Sequence, residues 1–432
     1  MALSLGKIRY GLLLRFGNLF RRLDTLDNLR PARLLYNVLR WLWEVVSPSK
    51  VYHIVSFSEY ASNHSVTKIL LKSNRVGYAA NAVCIGKGNR QELKELPLPI
   101  IYLYSLSEVL IHHSSDFIVK ENERLVINDY CATKDDENKG YEDKWNYWQG
   151  GRVCILRKHS VSRSLDSGIM LNGKFSYNYY HNMYENLIRL SVLRECNHQI
   201  PNEVPIIVDE EIMNVPSFKR IYDILSKDLN RQTIIIRKNE QVNVKNLFYL
   251  TSVNSLVPVH WDYTKGKMED YVFDRDYILK MRNTLLACMD NSVELPKRIF
   301  ITRKSTTHRH FNEDELFSVL KPLGFKKVAP EEYSFEQQMA LFNKAEWIVG
   351  GSGAALTNLL FTSPSCVIVC LYRNSNYIPA VFTAPVCFNE AKMYYFQSSK
   401  GESIMKAHTS FTIDVQDFQL FVNDWIAPAI VN

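Results

Sequence analysis

The chain has 432 residues, enough for two domains of about 150–200 residues each. With 46% hydrophobic and 22% charged residues it can bury a sizeable core, and its modest Gly and Pro content excludes collagen-like, disordered and repeat-array readings. No run of about 20 uncharged apolar residues offers a membrane-crossing helix, so a soluble or surface-attached protein is expected.

The net charge of +7 is unevenly placed. Residues 1–45 hold eight Lys/Arg against Asp24, Asp27 and Glu44, whereas the other 387 residues carry 44 bases against 42 acids. Within that segment Leu5, Ile8, Leu12, Phe16, Leu19 and Leu23 follow helical spacing, and after Pro31 so do Leu35, Val38, Leu42 and Val45, beside Trp41 and Trp43. Basic amphipathic helices with aromatic residues suit an anionic membrane surface; a solvated hairpin packed on the body is the alternative. Arg15 interrupts the apolar stretch, which argues against a signal peptide. The near-neutral body offers no extended basic face, so nucleic acid is not an expected partner.

From residue 51 onward strand-like runs alternate with helical ones. Strands are expected at 51–57, 81–86, 100–106, 153–158, 205–210, 233–238 and 246–253. Residues 129–150 read as a polar insertion, and a helix is expected from about Tyr180 to Cys196. A second block follows: strand 298–304, helix 312–324 opened by Asn312, strand 325–330, helix 334–345 capped by Ser334 with Gln337, strand 346–351, helix 352–361, strand 366–373. Such alternation implies parallel strands joined by right-handed crossovers. The expected architecture is α/β: a basic amphipathic segment (1–48), two Rossmann-like domains (49–284 and 285–414) facing a cleft, and a C-terminal helix (415–432) packing back on the first. The eight cysteines are scattered without a CxxC, which suits buried thiols in the cytoplasm.

Two segments carry possible chemistry. In 346–361, a strand ends at Val349, Gly350, Gly351, Ser352 and Gly353 make a tight turn, and a helix begins near Ala354. A phosphate could approach the exposed N–H groups there, although tight packing alone would also explain the glycines. Arg303 at a strand end and Arg309 before Asn312 could hold a diphosphate, or make surface ion pairs. The second segment is 178–185, where His181 and Glu185 share a helix face. His112–His113 and His308-x-His310 lack a third ligand at a sensible spacing, so no metal site is expected. Asp274-Arg275-Asp276 imitates a metal-chelating DxD but reads better as the N-terminus of the next helix.

Taken together, Arg309-x-x-Asn312-Glu313, Pro330-Glu331, Ser334-Phe335-x-x-Gln338, Ala345-x-x-Ile348-Val349-Gly350 and Gly353-Ala354-x-Leu356-Thr357-Asn358-x-x-Phe361, with Asn178-Tyr179-Tyr180-His181-x-x-x-Glu185 upstream, resemble glycosyltransferase family 61 over about residues 170–385. That family includes xylosyl- and N-acetylglucosaminyltransferases and many bacterial capsule or lipopolysaccharide enzymes. The resemblance implies a GT-B fold, a nucleotide-sugar donor (usually a UDP-sugar), a glycan or lipid-linked saccharide acceptor, inversion at the anomeric carbon and no required metal or cofactor. It points to Glu185 as base with His181 orienting it or touching a phosphate, and to Arg303, Arg309, Glu331, Ser352, Gly353, Ala354 and Asn358 at the donor. Asp209 and Glu210, at a strand end, are alternative bases. The family turn reads Gly-x-His-Gly-Ala; here Ser352 stands at the His position, which leaves a non-catalytic, nucleotide-sugar-binding relative as the rival reading.

Overall fold

The computed structural model describes residues 15–23, 30–88, 90–129, 145–256, 267–302, 310–375, 378, 380–397 and 410–431. Arg303, Arg309, His308 and most of the 129–150 insertion lie outside the described residues.

The protein is α/β. Its larger sheet has eleven strands, ordered Thr233–Ile236, Ile206–Asp209, Val161–Met170, Gln241–Leu250, Ile101–His112, Ile118–Lys120, Leu125–Ile127, Ser49–Val55, Val153–Arg157 and Asn146–Gly150, with Thr67–Lys72 paired to Ile101–His112. The first four are mutually parallel; most of the remainder are antiparallel. The sheet is therefore mixed, where a Rossmann-like parallel layer was expected. The strand Val161–Met170 escapes sequence reading because its first residues are exposed and polar and only its last three are buried. Gly168 marks its inward turn: a Cβ there would stand 2.2 Å from Ile207 Cδ1 in the neighbouring strand.

The smaller sheet is wholly parallel, ordered Lys326–Val328, Arg298–Ile301, Trp347–Gly351, Val367–Tyr372, Lys392–Gln397. In chain order this is 2-1-3-4-5, a doubly wound layer whose strand order reverses between Arg298–Ile301 and Trp347–Gly351. The strand expected at 81–86 is a single bridge, Cys84 to Tyr395, which covers the edge of this sheet. The helix Phe335–Lys344 opens with the expected capping box, Ser334 accepting from Gln337 N (3.2 Å) and Gln337 Oε1 accepting from Ser334 N (3.2 Å). Asn312 precedes the helix Glu313–Leu320 but does not cap it through its side chain. Its amide instead pairs with the backbone of Ile413, at 2.9 and 3.0 Å, and ties down the C-terminal segment. The final helical stretch, from Val415 to Val431, buries Phe418, Phe421, Val422 and Ile426 against Phe300, Trp347, Val349 and Phe396. It thus packs on the smaller sheet and not on the larger one.

Between the sheets runs the helical stretch from Tyr179 to Cys196. Met183, Tyr184, Leu187, Ile188, Leu190, Val192 and Leu193 are all buried, and so are Asn182, Asn186, Arg189 and Ser191, so the helix is covered nearly all round. The apolar ones belong to one cluster that also holds Ile169, Ile206 and Leu250 from the larger sheet and Ile299, Ile348 and Ile368 from the smaller.

Candidate active site

The first turns of the central helix carry a group of polar side chains, His181, Asn182, Glu185, Asn186 and Arg189. Asn178 starts it, accepting from Tyr180 N at 2.9 Å, and residues 182–187 widen into a π-turn, a feature frequent at functional sites. His181 and Glu185 lie on the exposed side of this turn, with side chains 22% and 16% accessible. His181 Nδ1 and Glu185 Oε1 are 2.6 Å apart, and since a carboxylate only accepts, Nδ1 carries the proton. The Phe175 ring packs on the imidazole, centroids 4.7 Å apart.

Burial pushes the Glu185 carboxyl up, but the charge and hydrogen bond of His181, then Lys174 and Arg189, outweigh it and hold the group below the usual glutamate range. Glu185 is therefore a carboxylate at neutral pH. Arg189 is buried and fixes the nearby loop, donating from Nη2 to Leu171 O and Asn172 O (3.0 Å each) and to Asn186 Oδ1 (3.2 Å). Asn172 in turn donates to His112 O (3.2 Å) and Ser115 O (3.3 Å), which draws the 112–116 loop to the same place. There Asp116, raised by burial and lowered in part by Lys174, feels the Glu185 charge.

A second cluster flanks the pair. Asp209 ends its strand fully buried, accepting from Ser114 N at 2.9 Å and Gly173 N at 3.4 Å. Burial raises it to about 6, with His113 opposing and Glu211 reinforcing. His113 Nε2 lies 2.7 Å from Glu211 Oε2, and Ser176 Oγ donates to the same carboxylate at 3.4 Å. His113, Glu210 and Glu211 each bring one possible ligand atom to within 4.8 Å of the others. His112 is not part of this group; the fold brings Glu210 and Glu211 to His113 alone from about a hundred residues away, which spacing could not have revealed. The site therefore collects groups from 113–116, 172–176, 181–189 and 209–211, all around the carboxyl ends of Val161–Met170 and Ile206–Asp209.

The glycine turn sits at the reversal point of the smaller sheet, where doubly wound folds bind ligands. Its interior is more occupied than the sequence suggests. A Cβ on Gly350 would stand 2.9 Å from Ile301 Cβ, and one on Gly351 would stand 2.6 Å from the Phe311 ring. The Ser352 N–H is already donated to Leu371 O (3.2 Å), and its hydroxyl meets Cys370. After Gly353 the chain forms the 3₁₀ helix Ala354–Phe361, tighter than the α-helix expected at 352–361. Ala354 is partly exposed there, while Asn358, expected at the donor, is 1% exposed with both side-chain ends engaged. Its Oδ1 accepts from Tyr179 Oη at 2.6 Å and its Nδ2 donates to Gln338 Oε1 at 3.0 Å. Glu331 is exposed on the short helix Pro330–Glu332, after the edge strand Lys326–Val328. Asp274 caps the helix Arg275–Leu286, accepting from Tyr277 N at 3.0 Å, and binds buried Arg75 at 2.7 Å, so it serves structure as expected.

Residues 179–369 match the family model Glycosyltransferase 61. Over this region, rather less than half of its length, the chain is similar to glycosyltransferase family 61. The match begins at Tyr179, two residues before His181, and runs to the strand after the glycine turn, so it takes in His181, Glu185, Asp209 and the turn but not the 113–116 and 172–176 segments. No curated relative matches the chain at a significant level. A glycosyltransferase transfers a sugar from a donor to an acceptor, and the match supports that activity in general. No helix among the described residues is long and apolar enough to cross a membrane.

Proposed function

We propose that the protein is an inverting transferase of GT-B type that moves a sugar from a nucleotide-sugar, UDP-linked in the first instance, to a glycan or lipid-linked saccharide, in the building of capsule or a similar surface polysaccharide at the cytoplasmic face of an anionic membrane. The observation that carries the chemistry is the His181–Glu185 pair, a partly accessible carboxylate held ionised by its neighbours. In the reaction, the acceptor hydroxyl gives its proton to Glu185 as its oxygen attacks the anomeric carbon. The bond from that carbon to the diphosphate breaks, and the departing diphosphate takes up the electron pair. Inversion follows from attack opposite the leaving group. His181 donates to Glu185 and keeps its second oxygen aimed at the acceptor.

The donor lies across the reversal point of the smaller sheet. Arg303 and Arg309, in the segment that leaves the strand Arg298–Ile301, balance the diphosphate charge. Ser352, Gly353 and Ala354 contact it from the facing turn, and Glu331 meets the ribose. Asn358 serves this site indirectly, through its link to Tyr179. No step requires a metal, because the positive field comes from arginines.

The test is a thermal-shift screen of UDP-, GDP- and CMP-sugars on the whole chain, with and without EDTA. Stabilisation by one nucleotide class that EDTA leaves intact supports the reading. Arg303→Ala should then weaken nucleotide binding by about 1.5–3 kcal/mol, the scale of a charged hydrogen bond. Transfer that depends on Mn²⁺ or Mg²⁺ and disappears in His113→Ala would move the metal question to His113, Glu210 and Glu211. Binding with no turnover of any acceptor would favour a sugar-binding relative, the reading that Ser352 in the histidine position suggests.

A further inference from the structure

The helix Arg30–Val46 carries two apolar faces, and the body covers only one. Trp43 is buried, and with Tyr36 and Leu39 it packs against Phe20, Val51, Val153 and Ile155. Trp43 Nε1 donates to Ser49 Oγ at 2.9 Å, and Glu44 holds Arg124 at 2.9 Å, so this face is fixed to the larger sheet. The other face is Leu34, Leu35, Val38, Trp41, Leu42 and Val45, from 46% to 68% exposed. Those positions recur at three- and four-residue intervals, so they form one continuous stripe along about three turns. Soluble monomers seldom expose so large a contiguous apolar surface without a use for it.

The charge beside the stripe names the occupant. Residues 1–45 hold eight Lys/Arg, among them Arg15, Arg22, Arg33 and Arg40, against Asp24, Asp27 and Glu44. Arg15, Arg22 and Arg33 are exposed. An apolar stripe with tryptophan, bordered by arginine, is what an anionic lipid surface binds: the side chains enter the acyl boundary while the guanidinium groups meet phosphates. A second copy of this chain would bring its own cations against these, which disfavours self-association.

We infer that the stripe Leu34–Val45 is the membrane-inserting surface of the protein. It deepens the membrane attachment proposed above and rests on it, but not on the transfer chemistry. The geometry also sets where the active site stands. The helix packs on Ser49–Val55 and Val153–Arg157, near one end of the larger sheet, and the site opens at Val161–Met170 and Ile206–Asp209, near the other. Six strand steps separate Val161–Met170 from Val153–Arg157, roughly 30 Å at the usual inter-strand spacing. Docking through the stripe therefore leaves the His181–Glu185 pair uncovered.

The experiment is co-sedimentation of the full chain with phosphatidylcholine vesicles, with and without phosphatidylglycerol, for the wild type and for the double variant Val38→Glu, Trp41→Glu. Both positions are solvent-facing, and an unchanged melting temperature shows that the variant is folded. The wild type should bind the anionic vesicles, and the variant should bind roughly tenfold less or more weakly still. Equal binding by the folded variant overturns this surface and leaves attachment to be sought elsewhere. Failure of the wild type to bind at low salt overturns both the surface and the attachment. A wild-type dimer that the variant breaks, without vesicle binding, gives the stripe to a second copy and also overturns the inference.

Discussion

The two sites differ in how their polar groups are spent. Around Glu185, acids and bases from four separate segments converge and largely answer one another: His181 to Glu185, His113 to Glu211, Ser114 N to Asp209. At the glycine turn, small residues make room mostly for the protein's own packing, Ile301 against Gly350 and Phe311 against Gly351. A site built by long-range convergence can shift the acidity of its members, whereas a turn built by local sequence can only shape space and aim N–H groups. The first therefore suits proton transfer and the second suits positioning a donor.

The sharpest way to break this division is Glu185→Gln. The amide keeps the shape and accepts the His181 hydrogen bond but cannot take the acceptor's proton. Single-turnover transfer should fall about 10²- to 10⁴-fold while nucleotide binding stays near wild type. In the wild type, the acid limb of kcat/KM should lie below the ordinary glutamate range of about 4.3, because the net effect of its neighbours lowers this carboxyl. Near-normal turnover in Glu185→Gln removes it from the mechanism and leaves Asp209 and Glu210 as candidate bases.

Asp209 gives the next largest effect, on stability. Its carboxyl is raised from 3.8 to about 6, first by burial. A group raised on folding supports the folded state fully below its unfolded value and loses that contribution as pH rises through the folded one. Here the loss runs from about pH 4 to about pH 6 and amounts to something on the order of 3 kcal/mol. Asp209→Asn cannot titrate and still accepts from Ser114 N. Chemical denaturation across that window should show a flatter profile in the variant. An unchanged slope would mean that other acids, not Asp209, set the pH dependence.

These cases also show what the sequence makes legible. Four of the five strands of the parallel smaller sheet are legible, because most are short apolar runs alternating with helices, one of which Ser334 with Gln337 announces by its capping box; Lys392–Gln397 is not. His181 and Glu185 are visible together because four residues on a helix bring them together. His113, Asp116, Lys174 and Glu211 are not visible, since their meeting depends on the register of Val161–Met170, a strand whose exposed half is polar. The mixed character of the larger sheet is hidden for the same reason, as short strands such as Ile118–Lys120 and Leu125–Ile127 carry no periodic signal. Gly351 marks a third limit: sequence shows that a glycine is there, not which neighbour requires it.

Gly351→Ala separates the two meanings of that glycine. Its new methyl would meet the Phe311 ring, itself stacked on Phe411 with centroids 5.3 Å apart, so the ring must move. The expected cost is about 1–3 kcal/mol of stability, the usual range for overpacking. Combining it with Phe311→Ala should cost less than the two variants added together, since the clash is then gone. If stability is unchanged and nucleotide affinity falls, the glycine serves the ligand and the turn is less filled than its packing indicates.

The smallest expected effect tests whether the sites act as one. Tyr179 begins the helix that carries His181 and Glu185, and its hydroxyl reaches Asn358 on the 3₁₀ helix after the glycine turn. Asn358 passes the contact to Gln338, so a single buried amide joins the helix of His181 and Glu185 to two elements of the smaller sheet's layer. Tyr179→Phe removes one hydroxyl and leaves the ring stacked on Phe218 at 5.8 Å, so the loss should be about 1 kcal/mol. Asn358→Ala removes both bonds, and a double-mutant cycle between the two positions should return a coupling of about 0.5–1.5 kcal/mol. The kinetic readout decides its meaning. If the contact only supports the fold, Tyr179→Phe lowers the melting temperature and leaves single-turnover transfer unchanged. If it holds the base in register with the donor, transfer slows while nucleotide affinity is kept, because a small displacement between reacting groups is felt in the rate before it is felt in binding.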